Sequence, residues 1–247
     1  MTSTTKPYYK AIILVLASNN TILYRQFKRV YELYMDHNPN VKVLFVYGRD
    51  ISFKPKPYDL VYDIEENYYP GMITKTVRAF EDINQTYDYD FLIRTNLSTF
   101  WDIDRLCRRL DTLPQIRCAS GTFRQCIYKG RRSPEYIAGV NLVISRDIVE
   151  YMIEHQDRMI SWDLPEDWAL SQLLLEDGIK LIQSRPGAIH FMDKFSAFDE
   201  PQVLLEIDSA RRKNHDHFRI KNNNDRDRID IRVANVLLRE YYGQTVL

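Results

Sequence analysis

The sequence predicts a mixed α/β fold, in which a mostly parallel central sheet is flanked by helices in a single domain. Two observations lead there. Short apolar, β-rich runs at 11–19 (AIILVLASN) and 41–48 (VKVLFVYG) bracket a stretch, TILYRQFKRVYELYMDH, that places Ile22, Phe27, Val30, Leu33 and Tyr34 near helical spacing, which makes a β-α-β unit. Further on, FLIRTNLSTFW at 91–101 and YIAGVNLVISRDIVEYM at 136–152 each join an apolar strand to a turn of small polar or acidic residues, and PEDWALSQLL follows at 165–174. Strand-to-turn junctions of this kind deliver side chains to the carboxyl edge of an open sheet.

The remaining elements follow in order. A short third strand is expected in YDLVYDI, a helix from about Met72 to Asn84, and a strand in FLIRTN. The Asp102 and Asp104 pair reads as the cap and first turn of a helix over DIDRLCRRLD. Beyond Pro114, strand-like runs broken by glycine and proline predict antiparallel pieces. Helices are then expected from Arg146 to His155 and over PEDWALSQLLLEDG, with Gly178 near the C-cap, before a late strand in IKLIQSR. The polar stretch from Phe191 to about Asn224 reads as long loops, and an amphipathic helix from about Asp227 to Tyr242 closes the chain. No repeat or clean linker interrupts it, so 1–247 is read as one domain, about 1–105 binding nucleotide and about 106–247 binding an acceptor.

Composition narrows the function classes. With 247 residues, 45% of them hydrophobic, the chain can bury a sizeable core. Lysine plus arginine and aspartate plus glutamate number 34 each, so no global field points to nucleic acid or an anionic membrane. The amino-terminal apolar run is too short for a membrane span and lacks a signal-peptide cleavage pattern, which points to a soluble, cytoplasmic protein. Cys107, Cys118 and Cys126 show no CxxC spacing and read as free thiols.

Four stretches together resemble a known family, the β-1,3-galactosyltransferase-like group of GT-A-fold (Rossmann-like) glycosyltransferases. GMITKTVRAF at 71–80 is similar to the family's NLTLKT stretch; Asn96, Leu97 and Ser98 fall on its acidic triplet; AGVNLVISRD at 138–147 resembles its glycine-rich segment; and Glu166, Asp167 and Trp168 resemble its Glu-Asp-Val motif. The resemblance implies an inverting glycosyltransferase that moves a sugar from a nucleotide-sugar, a UDP-sugar by expectation, to a hydroxyl of a saccharide or glycan acceptor. Stand-alone relatives of this kind resemble those of large DNA viruses or bacteria, which would place a viral protein in the host cytoplasm. The alternative is a catalytically silent nucleotide-sugar or glycan-binding module of the same fold. A methyltransferase reading ranks last, because ASNN rather than a glycine-rich loop follows the first strand.

Site expectations follow from the chemistry. Such a transfer needs a base for the acceptor proton, and Asp167, with Glu166 beside it, occupies the loop-to-helix junction where the family's catalytic acid residue falls; an acidic first turn favoured by the helix dipole is the other explanation. The diphosphate needs cations or oriented donors: Lys75, Arg94 and the alternating His217, Arg219 and Lys221, which share a face if extended. Ala17, Ser18 and Asn19 after the first strand, Asp63 with Glu65 at the neighbouring edge, and Thr95, Asn96 and Ser98 are expected at the nucleotide and sugar. Gly139 and Asn141 allow close approach of a sugar ring, and of Trp101, Trp162 and Trp168 the last is the expected stacking platform. Asn96 and Ser98 replace the family's metal-binding carboxylates, so Mn²⁺ or Mg²⁺ dependence stays open, with His217 and Ser98 as candidate ligands. His190 is a further candidate ligand, set against a packed polar role.

Overall fold

The computed structural model describes residues 5–184, 189–223 and 225–246. In chain order its elements are β1 (Tyr8–Leu16), α1 (Ile22–Tyr34), β2 (Val41–Tyr47), β3 (Asp59–Val61), α2 (Gly71–Thr86), β4 (Asp88–Asn96), β5 (Thr99–Trp101), α3 (Ile103–Leu110), β6 (Ala119–Gly121), β7 (Phe123–Arg124), β8 (Ile127–Tyr128), β9 (Arg131–Arg132), β10 (Tyr136–Ile137), β11 (Leu142–Ser145), α4 (Arg146–Glu154), α5 (Gln156–Ser161), α6 (Glu166–Glu176), β12 (Ile182–Gln183), β13 (Ile189–Met192), α7 (Glu200–Arg212), β14 (His217–Ile220) and α8 (Arg226–Tyr242).

The central sheet has seven strands in the order β12-β6-β11-β4-β1-β2-β3. All pairings are parallel except those of β11, which runs against both β4 and β6. Strand β1 shows why the sheet is buried on both faces. Ala11, Ile13 and Val15 join the core beneath α1, α3, α7 and α8, whereas Ile12, Leu14 and Leu16 join the core beneath α2, α4 and α6. A continuous apolar run is what a strand with two covered faces requires. Asp102 caps α3 by accepting from Arg105 N at 3.0 Å, as expected, and Gly178 adopts φ +69° directly after the C-cap of α6.

Three features place the site. The strand order turns back at β1, with β2 and β3 on one side and β4 on the other, and Leu16 of β1 lies level with Asn96 of β4. Because β11 is antiparallel, its beginning meets the end of β4, with Leu142 opposite Arg94. A second, three-stranded sheet, β13-β14-β5, lays β14 along the segment after β4, with Arg219 opposite Thr99.

The expected long loops at 191–224 are corrected by α7 and β14. Helix α7 seats Val203, Ile207 and Ala210 in the core while Leu205 stays exposed, so its inward stripe is narrow and its sequence looks more polar than its role. In α1 the buried face is Leu23, Phe27, Val30, Tyr31 and Tyr34; Ile22 and Leu33 point outward. All three cysteines are free. No helix among the described residues is long and apolar enough to cross a membrane.

Candidate active site

Two adjoining clefts open where β1, β4 and β11 meet. The first, about 210 Å³, is lined by the end of β1 (Leu16, Ala17, Ser18), by Tyr24, Glu66, Met72 and Lys75, and by Asn96, Leu97, Ser98 and Arg219. The second, about 360 Å³, is lined by Asn96, Arg124, Tyr136, Ala138, Gly139, Val140, Asp167, Phe191, Asp193, Arg219, Lys221 and Asn223. Asn96 and Arg219 belong to both. The edge after β4 and the Asp167 carboxylate therefore share one recess, at the switch in strand order where open α/β sheets bind ligands.

Asp167 sits in the first turn of α6, held by two backbone donors. Gly139 N donates to its Oδ2 at 2.8 Å and Trp168 N to its Oδ1 at 3.1 Å. Its neighbour Glu166 does something else. It is buried and takes a two-point contact from Arg94, Nε to Oε1 at 2.9 Å and Nη2 to Oε2 at 2.6 Å. Burial pushes the Glu166 carboxyl up, and the Arg94 guanidinium pulls it back. The same guanidinium donates from Nη1 to Asn96 Oδ1 at 3.1 Å and to the carbonyl of Gly139. One buried arginine thus joins the end of β4, the loop before β11 and the helix that carries Asp167. A Cβ on residue 139 would overlap that guanidinium, which is the physical reason a glycine stands there.

In the first cleft Lys75 is almost fully buried and bonds both oxygens of Glu66, at 2.7 and 2.8 Å, and the Ala17 carbonyl at 3.3 Å. Burial pushes the Lys75 ammonium below its ordinary range and Glu66 opposes the shift. Glu66 also accepts from Gly48 N at 2.6 Å. Arg219 presents Nη1 to Ser98 Oγ at 2.6 Å. Removal of solvent pushes the Arg219 guanidinium down to about 10, with further lowering from Arg226 and Arg94.

Several expected residues are placed elsewhere. Glu166 is an ion-pair partner and cannot serve as a base, and Arg94 is committed to it rather than to a diphosphate. Trp168 is 2% exposed and packs parallel to Tyr136, so the ring that reaches the cleft is Tyr136. Asn141 is buried with its amide bonded to Thr122, and Thr95 donates to Val140 O at 2.7 Å; neither lines a cleft. Asp63 faces solvent beside Arg49, and Asn19 is turned to Ser52; Glu66 occupies the position expected of Asp63 and Glu65. His217 is corrected too. It alternates with Arg219 but lies deeper, stacked on Trp101 and bonded to Asp216, with no exposed surface. His190 is packed between His215 and Glu206.

The donors at the expected metal positions are neutral. Asn96 and Ser98 offer an amide and a hydroxyl where a resident divalent cation would want carboxylates, His217 is out of reach, and no group of three His, Cys, Asp or Glu suited to a metal occurs among the described residues. These residues do not fit a resident Mn²⁺ or Mg²⁺. The cleft residues missing from the sequence reading include Tyr24, Glu66, Arg124, Tyr136, Phe191 and Asp193. Arg124 lay within a basic run, FRQCIYKGRR, but the others carried no local signal, since chain segments distant in sequence bring them together.

No family model and no curated protein matches the chain. Among solved structures it is similar to 2-C-methyl-D-erythritol 4-phosphate cytidylyltransferase from Thermus thermophilus, at 10% identity and a TM-score of 0.45, over 82% of this chain and 99% of that one. It is also similar to a 4-diphosphocytidyl-2C-methyl-D-erythritol synthase, at 12% identity and a TM-score of 0.41, over 82% and 99%. The expected sugar transfer is not borne out: no family model and no curated relative supports it. Of the family's motif positions, Glu166 and Trp168 are buried in structural roles. The galactosyltransferase-like resemblance gains no support beyond the mixed, mostly parallel sheet itself.

Proposed function

We propose that the chain is a nucleotide-dependent transferase acting at phosphorus. The observation that carries this reading is Arg219. Four other enclosed cations have a carboxylate: Lys28 has Asp59, Lys75 has Glu66, Arg94 has Glu166 and Arg109 has Asp216. Arg219 has only the Ser98 hydroxyl, although it is partly buried where the two clefts join. A desolvated cation without a counter-ion is costly, and an anion supplied by a ligand relieves that cost.

The position of Arg219 then orders the ligand. The first cleft mixes apolar walls (Leu16, Met72, Leu97), an aromatic ring (Tyr24) and the Glu66 carboxylate, which suits a nucleoside with hydroxyls to bond. The phosphate nearest that nucleoside meets Arg219, where the two clefts join, and the second reactant approaches from the larger cleft. In the step so arranged an acceptor oxygen bonds to the α-phosphorus of a nucleoside triphosphate. The bond from that phosphorus to the bridging oxygen breaks, and pyrophosphate leaves with the electron pair. Where the acceptor oxygen carries a proton, Asp167 takes it. Arg219 stabilises the charge that grows on the phosphate oxygens.

Calorimetric titration with UTP, CTP, ATP and GTP tests the reading. At least one should bind, and R219A should weaken it about 10- to 100-fold, the size of a lost charge-assisted hydrogen bond. Unaltered affinity in R219A would overturn the proposal.

A further inference from the structure

The larger cleft holds two more cations that the phosphate site does not use. Arg124, from β7, and Lys221, just after β14, line it but not the first cleft; both are exposed, and among the described residues neither side chain has a hydrogen bond or a carboxylate partner. Asp167 and Asp193 line the same cleft, yet neither pairs with them. Arg124 is nonetheless positioned: its guanidinium lies 5.5 Å from the centre of the Phe191 ring. Lys221 is crowded by like charge. Its ammonium is pushed below the ordinary lysine range, first by loss of solvent and then by Arg219, Arg226 and Arg124.

Unpaired cations lining one recess, with acids nearby that do not neutralise them, are arranged for an anion from outside. We propose that Arg124 and Lys221 form a second anion subsite, and that the second reactant carries a phosphate-type group of its own which docks there. The Tyr136 and Phe191 rings and the Asp193 carboxylate give the rest of that reactant an aromatic and a hydroxyl-accepting wall. The inference rests on the nucleotide reading only for which reactant fills which cleft. The subsite itself stands on Arg124 and Lys221.

The full chain is titrated with glycerol 3-phosphate and with glycerol, each alone and in the presence of UMP or CMP, by calorimetry. Glycerol 3-phosphate should bind in all cases and glycerol in none. R124A and K221A should each weaken glycerol 3-phosphate about 10-fold while triphosphate affinity shifts by less than about twofold. Binding of glycerol 3-phosphate that is indifferent to both variants overturns the subsite. So does an equal loss of triphosphate affinity in R124A, because the two cations would then serve the nucleotide's own phosphates. Glycerol 3-phosphate bound through Arg124 in a protein that takes no triphosphate would support the subsite and sink the nucleotide reading alone.

Discussion

At the scale of single residues the site depends on one guanidinium and one carboxylate. Arg94 ties Asn96, Gly139 and Glu166 together, and Gly139 in turn donates to Asp167. The substitution G139A should therefore cost about 1–3 kcal/mol in chemical denaturation, because the Arg94 guanidinium it would strike is held on one edge by Glu166 and at Nη1 by Asn96, and cannot give way. Asp167→Asn makes the opposite prediction. An amide oxygen can still accept from Gly139 N, so stability and triphosphate affinity should stay close to those of the parent chain, whereas turnover of an acceptor alcohol should fall about 10²- to 10⁴-fold. A D167N chain with full turnover would remove Asp167 from the chemistry. Asp167 was singled out through the family resemblance of Glu166-Asp167-Trp168, since its position at a loop-to-helix junction alone reads equally as an acidic first turn, and it lines the larger cleft. The roles of Glu166 and Trp168 were not legible in the sequence, since adjacent positions on a helix point about 100° apart and the sequence does not say which faces the core.

Among the elements, β14 and α8 matter most, since β14 carries Arg219 and leads to Lys221. Asp230 of α8 is buried beneath that turn. Its Oδ1 accepts from Asn222 N at 3.0 Å and Asn222 Nδ2 at 2.8 Å, and its Oδ2 accepts from Arg226 Nε at 2.8 Å. Asn222 also bonds Met192 O and Phe195 N, so one side chain fastens the ends of β13 and β14 to α8. D230A strands these donors and should destabilise the chain by about 3–5 kcal/mol, measured by urea unfolding; D230N, which keeps one acceptor, should cost less. Equal stability of D230A and the parent would show that the turn is held by other means. Little of this was visible beforehand. The central strands announce themselves through apolar runs buried on both faces, but β14 (HFRI) and the β13 segment are short and mixed, and they are strands because they pair with β5 and each other rather than through their own preference. Helix α7 was hidden for a related reason: three inward residues spread over thirteen give a weak period against a polar background.

For the molecule as a whole, stability should be coupled to pH through a histidine pair that lines neither cleft. His190 of β13 and His215, between α7 and β14, face each other with their Nδ1 atoms 3.2 Å apart, and His190 Nε2 lies 2.7 Å from Glu206 of α7. Burial first, then the charges of His190, Lys213 and His217, push His215 down to about 4, against a smaller upward pull from Asp216. The sign follows from where the proton binds. Between pH 6.5 and about 4 the unfolded chain accepts a proton on His215 that the folded chain refuses, so the unfolded state is favoured progressively as pH falls through that window and the effect levels off below it. His217, pushed down by burial, adds in the same direction, whereas Glu166, pushed up by burial, works against it. A comparison with H215Q isolates the one group. The parent should lose several degrees more in Tm than H215Q between pH 7 and pH 5. Parallel melting curves for the two chains would mean that His215 takes its proton as readily folded as unfolded. Because His215 joins α7 to the strand that bears Arg219, loosening of this pair at low pH should weaken triphosphate binding before global unfolding, and a titration at pH 5 against pH 7 in both chains reads that coupling directly.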